Sequence, residues 1–348
     1  MSVLRSAAFA IPGDIETLTG GYIYERRLLM GLRDQGRNVT HLQLPASFPD
    51  PSAAEMTDAV AQLQGIDAER VLILDGLVFG AIETHGLAGV RAPIVAMIHH
   101  PLALETGLDP STRDHLFRTE RDNLRLARHV LVPSPHTRDT LVHRYDVDPA
   151  RITIARPGID RPHFTPVADK PPLILSVGIL HPRKGHDILI EALSRLDDLD
   201  WRAVIVGNPW HRAHADDLAR MVKQTGLGDR LRLAGRVSAE ELQGLYASAS
   251  IFALATRFEG YGIVFDEAIS HGLPIVSTKA GAVPDTVPPG AGLLVPPDDV
   301  EAFADALRTL LSKAGDRDRM AQAASKAAQA LPGWKDTAAI AGIVIDSL

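Results

Sequence analysis

The sequence has no cysteine, so it carries no disulfide framework and no thiolate nucleophile, a composition that suits a reducing compartment. Long apolar runs are missing too. Charged residues or glycines interrupt each one well before the roughly 18 residues that a membrane-spanning helix needs, and "MSVLRSAAFAIPGD" meets Pro12 and Gly13 too soon to read as a signal peptide. There is no excess of base: 36 Lys and Arg stand against 43 Asp and Glu, a net charge of −7, which removes the field that drives non-specific nucleic-acid binding. These absences leave a cytoplasmic protein as the expectation, with no nucleic-acid partner and at most a peripheral contact with the inner face of a membrane. What is present is ordinary for a folded chain, 45% hydrophobic and 23% charged residues over 348, enough for two domains with cores of their own.

Short apolar runs alternate with longer amphipathic stretches, the pattern of parallel strands joined by crossover helices, so the fold class expected is α/β. The first half offers "VLRSAAFA", "VTHLQL", "VLILD", "PIVAMIH", "HVLVPS" and "RITIA" as strands, with helical stretches such as Tyr22 to Asp34 and Arg113 to Arg128 between them. Four prolines in "RPHFTPVADKPP", Arg161 to Pro172, forbid a helix or a central strand there and read as a linker. The rhythm then restarts with "LILSVG", "WRAVIVG", "RLRLAG", "SIFALA", "PIVS" and "GLLVP". The organisation expected is a doubly wound, Rossmann-like domain over 1–160, the linker over 161–172, a second such domain over 173–330, and a last helix within 331–348 packing back on the first. In such sheets ligands sit outside the carboxyl ends of the strands, and two facing domains would frame a cleft.

The residues that carry chemistry fall at those ends. "SVGILHPRKGHDILIEAL" places Arg183 and Lys184 between a strand and a helix, which suits a phosphate, although a solvated basic turn would look the same. In "EGYGIVFDE", Gly260 and Gly262 let a backbone approach a ligand, and the amides of Tyr261, Gly262 and Ile263 open a helix that can receive an anion. Glu259 then lies in the loop and Glu267 inside the helix, so they read as contacts to different parts of one ligand rather than as a glycosidase-like pair. The plainer alternatives are a surface loop acid and a first-turn acid. "LTGGYIYERRLL" sets Gly20 and Gly21 in the loop after the first strand, and "PIVAMIHH" ends in His99 and His100, candidate hydrogen-bond donors. "DVD", Asp146 to Asp148, reads as turn chemistry rather than a metal site, and "HRAH", His211 to His214, as a solvated helix start. Five arginines against three acids in Arg113 to Arg128, with Leu116, Phe117, Leu124 and Leu126, make that stretch a candidate for lying on anionic lipid or for a helix packed on the sheet.

Together these pieces resemble glycosyltransferase family 4, the retaining group 1 sugar-nucleotide transferases of GT-B architecture. The match is specific across roughly Leu173 to Asp299, through the E-x(7)-E spacing, "HGLPIVST", the "AGAVPD" turn and "AGLLVPPDD", and looser in the first half, through "TGGY", "HHP", "LVPS" and "RPGID". The resemblance implies that Arg183 and Lys184 hold the diphosphate of a nucleotide-sugar donor, with the Gly20-Gly21 loop closing on it. It implies that Glu267 binds the ribose, that Glu259 and the amides after it hold sugar and phosphate, and that His99 reaches the sugar. Backbone around Gly207, Arg236 and Val237 would flank the base. Many members carry an arginine where this chain has Ile179, and Arg183 beside Lys184 would supply that charge. The chemistry implied is transfer with retention to a glycan or lipid-linked hydroxyl, in lipopolysaccharide, exopolysaccharide or glycolipid synthesis. It needs no metal or other cofactor, and a phosphate oxygen takes the acceptor's proton. An epimerase or hydrolase acting on sugar nucleotides, or a non-catalytic nucleotide-sugar-binding protein, are the alternatives.

Overall fold

The structure is a computed structural model that describes residues 4–162 and 169–348. It divides into two compact units, the first made of residues up to Gly158 together with Pro332–Leu348, the second of Ile159–Leu331. Of the stretch expected as a linker, residues 163–168 lie outside the described residues. Arg161, just before them, donates to the carbonyls of Ala328 and Leu331 at 2.6 and 3.2 Å.

Each unit is built on a six-stranded parallel sheet. The first contains β1 (Ala7–Pro12), β2 (Val39–Leu44), β3 (Val71–Asp75), β4 (Ile94–Met97), β5 (His129–Val132) and β6 (Ile152–Ile154). The second contains β7 (Leu173–Val177), β8 (Arg202–Val206), β9 (Leu231–Gly235), β10 (Ile251–Leu254), β11 (Ile275–Thr278) and β12 (Gly292–Val295). Each apolar run quoted above overlaps one of these strands, and the class is α/β as read. Central strands of a parallel sheet are covered on both faces, which is why β1, β3, β4, β10 and β11 are apolar or small almost throughout and buried at every position. The edge strand β2 instead carries Thr40, His41 and Gln43 and is only partly buried.

Strand order decides where a ligand can enter. In the first sheet it is β2-β1-β3-β4-β5-β6, and in the second β12-β11-β10-β7-β8-β9. The chain therefore leaves β1 and β3 in opposite directions, and likewise β7 and β10. Between the carboxyl ends of each such pair the crossover helices diverge, which opens the crevice in which doubly wound sheets take ligands.

The helix Trp334–Asp346 belongs to the first unit and lies against the helix Gly20–Asp34. The close approach needs Gly31, since a Cβ there would stand 2.6 Å from Cβ of Ala338. Arg37, whose side chain is 1% exposed, forks onto both oxygens of Asp346 at 2.6 and 2.9 Å, and Thr337 Oγ1 donates to Arg156 O at 2.7 Å.

One expectation is corrected here. The stretch read as a candidate lipid-binding surface forms the helix Pro110–Leu124 and the turn after it, but Leu116 and Leu124 are buried in the first core and Phe117 and Leu126 pack against it. Its apolar face is already covered by protein, and the arginines form a solvated outer face. Among the described residues no helix is long and apolar enough to cross a membrane.

Candidate active site

In the second unit the crevice lies between β7 and β10. After β7 the chain makes a single 3₁₀ turn, Pro182–Lys184, before the helix His186–Ser194. Gly185 permits this: its φ is +64°, and a Cβ there would lie 1.9 Å from Ala255 O at the end of β10. The turn aims both cations at the loop after β10. Lys184 Nζ donates to Glu259 Oε1 at 2.6 Å, and Arg183 Nη1 stands 3.9 Å from Glu259 Oε2 and donates to Phe258 O at 3.1 Å. Thr256 Oγ1 also donates to Glu259 Oε1, at 3.1 Å. Glu259 is 4% exposed. Burial pushes its carboxyl up, but Lys184, Arg183 and these hydrogen bonds outweigh it and hold the group below the ordinary glutamate value. Two cations thus stand beside one buried carboxylate at the switch point.

The rest of "EGYGIVFDE" runs into the helix Ile263–Ser270, with Gly262 as N-cap. The first amides of this helix have no carbonyl partner within it and form its positive end. The Tyr261 side chain is turned inward, its ring buried and its hydroxyl donating to Asp266. Glu267 lies within the helix and accepts from Tyr246 Oη at 2.8 Å. Burial raises its pKa, the Tyr246 hydroxyl opposes that, and Asp160 adds to it. Glu259 and Glu267 thus have separate partners and opposite shifts. Gly207 follows β8 and donates to Gly235 O at 2.9 Å; Arg236 and Val237 follow β9, with Val237 packed on the core beside β8 and β10.

In the first unit the crevice lies between β1 and β3. Gly20 and Gly21 are not in a loop: they are the first two residues of the helix Gly20–Asp34, after Thr19 as N-cap. A first turn tolerates glycine, since its amides lack helical partners in any case. One turn on, Glu25 points inward and meets Asp75, the last residue of β3, and His99, just beyond β4. The three offer donor atoms within 4.8 Å of one another, the group among the described residues whose spacing a metal ion could use. Glu25 is 1% exposed and Asp75 3%. Burial pushes Glu25 up to about 7 despite the hydrogen bond with Asp75, while burial and the neighbouring Glu25 push Asp75 well above the carboxylate range. His99 is pulled down by burial, against the attraction of Asp75.

Several residues of these sites escaped the sequence reading. Asp75 had a usable signal, an acid ending an otherwise apolar strand. Glu25 had none, because a helical glutamate is usually solvated. Gly281 shows only in three dimensions: its φ is +54°, and a Cβ would lie 2.2 Å from Glu259 O, so the "AGAVPD" turn backs the Glu259 loop. The "DVD" and "HRAH" stretches serve as turns and caps, with Asp146 left-handed at a helix end, Asp148 capping Ala150 N at 2.9 Å, and His211 preceding the helix Arg212–Gln224.

With this geometry established, comparison with known proteins is direct. The profile of the Glycosyl transferases group 1 matches residues 161–327, and that of Glycosyltransferase Family 4 matches residues 56–161. The chain belongs to the family 4, group 1 glycosyltransferases. It is 34% identical over 219 residues to the D-inositol 3-phosphate glycosyltransferase of Corynebacterium glutamicum (strain R), a match covering 57% of this chain and 52% of that one. The protein of the same name from Arthrobacter sp. (strain FB24) is 28% identical over 328 residues, 85% of this chain and 76% of that one. The chain thus spans about half the length of the curated relatives that it matches at 34% identity. Among solved structures, sucrose-phosphate synthase from Thermosynechococcus elongatus aligns with a TM-score of 0.81 at 20% identity, covering 98% of each chain. HepE from Anabaena, in complex with UDP and glucose, aligns at 0.77 and 17%, covering 99% of this chain and 100% of that one. These structural likenesses show the family 4 chain to have the GT-B fold, with its two Rossmann-like domains.

Proposed function

We propose that the chain is a glycosyltransferase that moves a sugar from a nucleotide-diphosphate donor to a hydroxyl acceptor. The observation that carries the reading is the cation pair Arg183 and Lys184, aimed by Gly185 at the switch point of the second sheet and held there by Glu259. A departing diphosphate gains negative charge as the glycosidic bond breaks, and fixed cations beside a helix N-terminus stabilise that charge without reorganising. On this reading no metal is required, the anomeric configuration is retained, and Glu267 holds the ribose. The parts given by the family resemblance to Gly20, Gly21 and His99 are proposals of the same standing. The relatives' names make a phosphorylated cyclitol the first acceptor to try, before a glycan or lipid-linked hydroxyl.

The test begins with a thermal-shift screen of sugar nucleotides, in which a donor at 100 times its Kd adds about 2.7 kcal/mol of stability. The selected donor is then incubated with and without D-inositol 3-phosphate or a lipid-linked acceptor, in EDTA. The expected result is an acceptor-dependent glycoside formed in the presence of chelator. Donor turnover without acceptor would make the chain an epimerase or hydrolase, and binding without turnover a binding protein. Loss in EDTA restored by magnesium or manganese would contradict the metal-free chemistry.

A further inference from the structure

We infer that Arg257, forked on Asp187, is the positioning residue that fixes the Pro182–Lys184 turn and so keeps Arg183 and Lys184 aimed beside Glu259. The turn has little of its own to fix it. It is one 3₁₀ turn closed by two backbone bonds, Lys184 N to His181 O at 2.9 Å and Gly185 N to Pro182 O at 3.1 Å, and such short pieces have poor hydrogen-bond geometry. Thr256 and Arg257, in the loop after β10, anchor it from outside. Arg257 N donates to Arg183 O at 2.7 Å, Thr256 Oγ1 donates to the same carbonyl at 3.0 Å, and Arg257 Nη1 donates to Pro182 O. The guanidinium then reaches past the turn to the helix His186–Ser194, where Nη1 and Nη2 donate to Asp187 Oδ1 and Oδ2 at 3.0 and 2.7 Å. Its Nε donates to Asp298 Oδ1 at 2.7 Å. One side chain thus ties together the segments that follow β7, β10 and β12.

The bonding of Arg257 separates holding from binding. All three of its guanidinium nitrogens are committed to protein, and two carboxylates stand against its single charge. A cation so neutralised attracts an anion weakly, so Arg257 acts through Arg183 and Lys184 rather than beside them. Isolated surface ion pairs contribute little to stability, but a bidentate fork fixes an orientation through two parallel bonds, and that is what the turn needs. Burial pushes the Asp187 carboxyl up, but Arg257 outweighs it and holds the group below the ordinary aspartate value, so the acid stays ionised in the fork. Asp298 is held left-handed at φ +59°, a strained conformation that persists where partners fix it. A lysine would not serve, since one ammonium lacks the planar fork that meets both oxygens of Asp187 and also Asp298. That the anion so served is a diphosphate rests on the transferase reading; the hold on the turn does not.

Calorimetric titration with inorganic pyrophosphate at low ionic strength separates positioning from charge. Asp187→Ala removes a negative charge, so through-space electrostatics alone would tighten pyrophosphate binding. Positioning has the opposite sign. Asp187→Ala and Arg257→Gln should each weaken binding about tenfold, Arg257→Lys should do no better, and the double variant should be no weaker than either single, since both changes break one contact. Lys184→Met should lose at least about tenfold. Asp187→Ala binding as tightly as the wild type or tighter, while Lys184→Met binds weakly, would overturn the inference and leave the diphosphate reading standing. Equal binding by wild type and Lys184→Met, or none by either, would overturn the diphosphate reading instead, and crystal structures of the variants then decide the inference without a ligand. In Asp187→Ala and Arg257→Gln the turn should be displaced and Lys184 Nζ drawn away from Glu259. A turn that stays in place would overturn the inference, and Asp187→Ala decides alone if Arg257→Gln does not fold.

Discussion

The two switch points of this chain are built from opposite electrostatics. In the second unit two cations face one carboxylate that they keep ionised; in the first, two buried carboxyls crowd together, and burial favours their protonated forms. Desolvation acts on both Glu259 and Glu25. What differs is the partner, and the sign of the outcome follows it: Glu259 is held below the ordinary value and Glu25 is pushed to about 7. The same kind of crevice, in the same class of sheet, thus favours an ionised carboxylate in one unit and a protonated one in the other.

The sharpest way to break this comparison is to remove a cation. Lys184→Met takes charge from the proposed diphosphate site and leaves Glu259 buried without its closest partner. Turnover should fall by about 10³-fold, and Glu259 should lose the main attraction that keeps it ionised; a loss under tenfold in steady-state kinetics would contradict the role given to the lysine. A smaller effect is expected of Glu267→Gln. Its carboxylate is placed by Tyr246 away from the cations, so donor KM should rise about tenfold with turnover little changed. An equal fall in turnover for Glu267→Gln and Glu259→Gln would mean that the two acids work as one catalytic pair.

The smallest effect concerns stability. A carboxyl whose folded pKa is raised binds its proton more tightly in the native state, so the stability it contributes is complete below the unfolded value of about 4.5 and is lost as pH rises through the folded value. Glu25, near 7, and Glu120, raised to about 8 by burial despite the bond from Leu102 N, should make urea-unfolding stability decline between about pH 5 and 8. Glu120→Gln should flatten that decline, and an unchanged slope would contradict the burial argument.

The contrast also shows what a sequence can reveal. Apolar runs disclosed the strands because parallel strands buried on both faces must be apolar at nearly every position, and Arg183, Lys184 and Glu259 were legible because they sit in short loops where few other residues compete. Glu25 and Tyr246 were not, since both lie on helices and acquire their meaning from residues more than twenty positions away. The stretch Arg113 to Arg128 misled for a related reason: composition records an apolar face but not what covers it, and Leu116 and Leu124 are covered by the first core.

The central claim, that one switch point holds a charge and the other a proton, is tested most directly by ¹³C titration of the glutamate side-chain carboxyls, with Glu25→Gln and Glu259→Gln for assignment. The account predicts that Glu259 titrates below the ordinary glutamate range and Glu25 near pH 7. Both carboxyls titrating together near pH 4.5, or Glu259 titrating above Glu25, would contradict it.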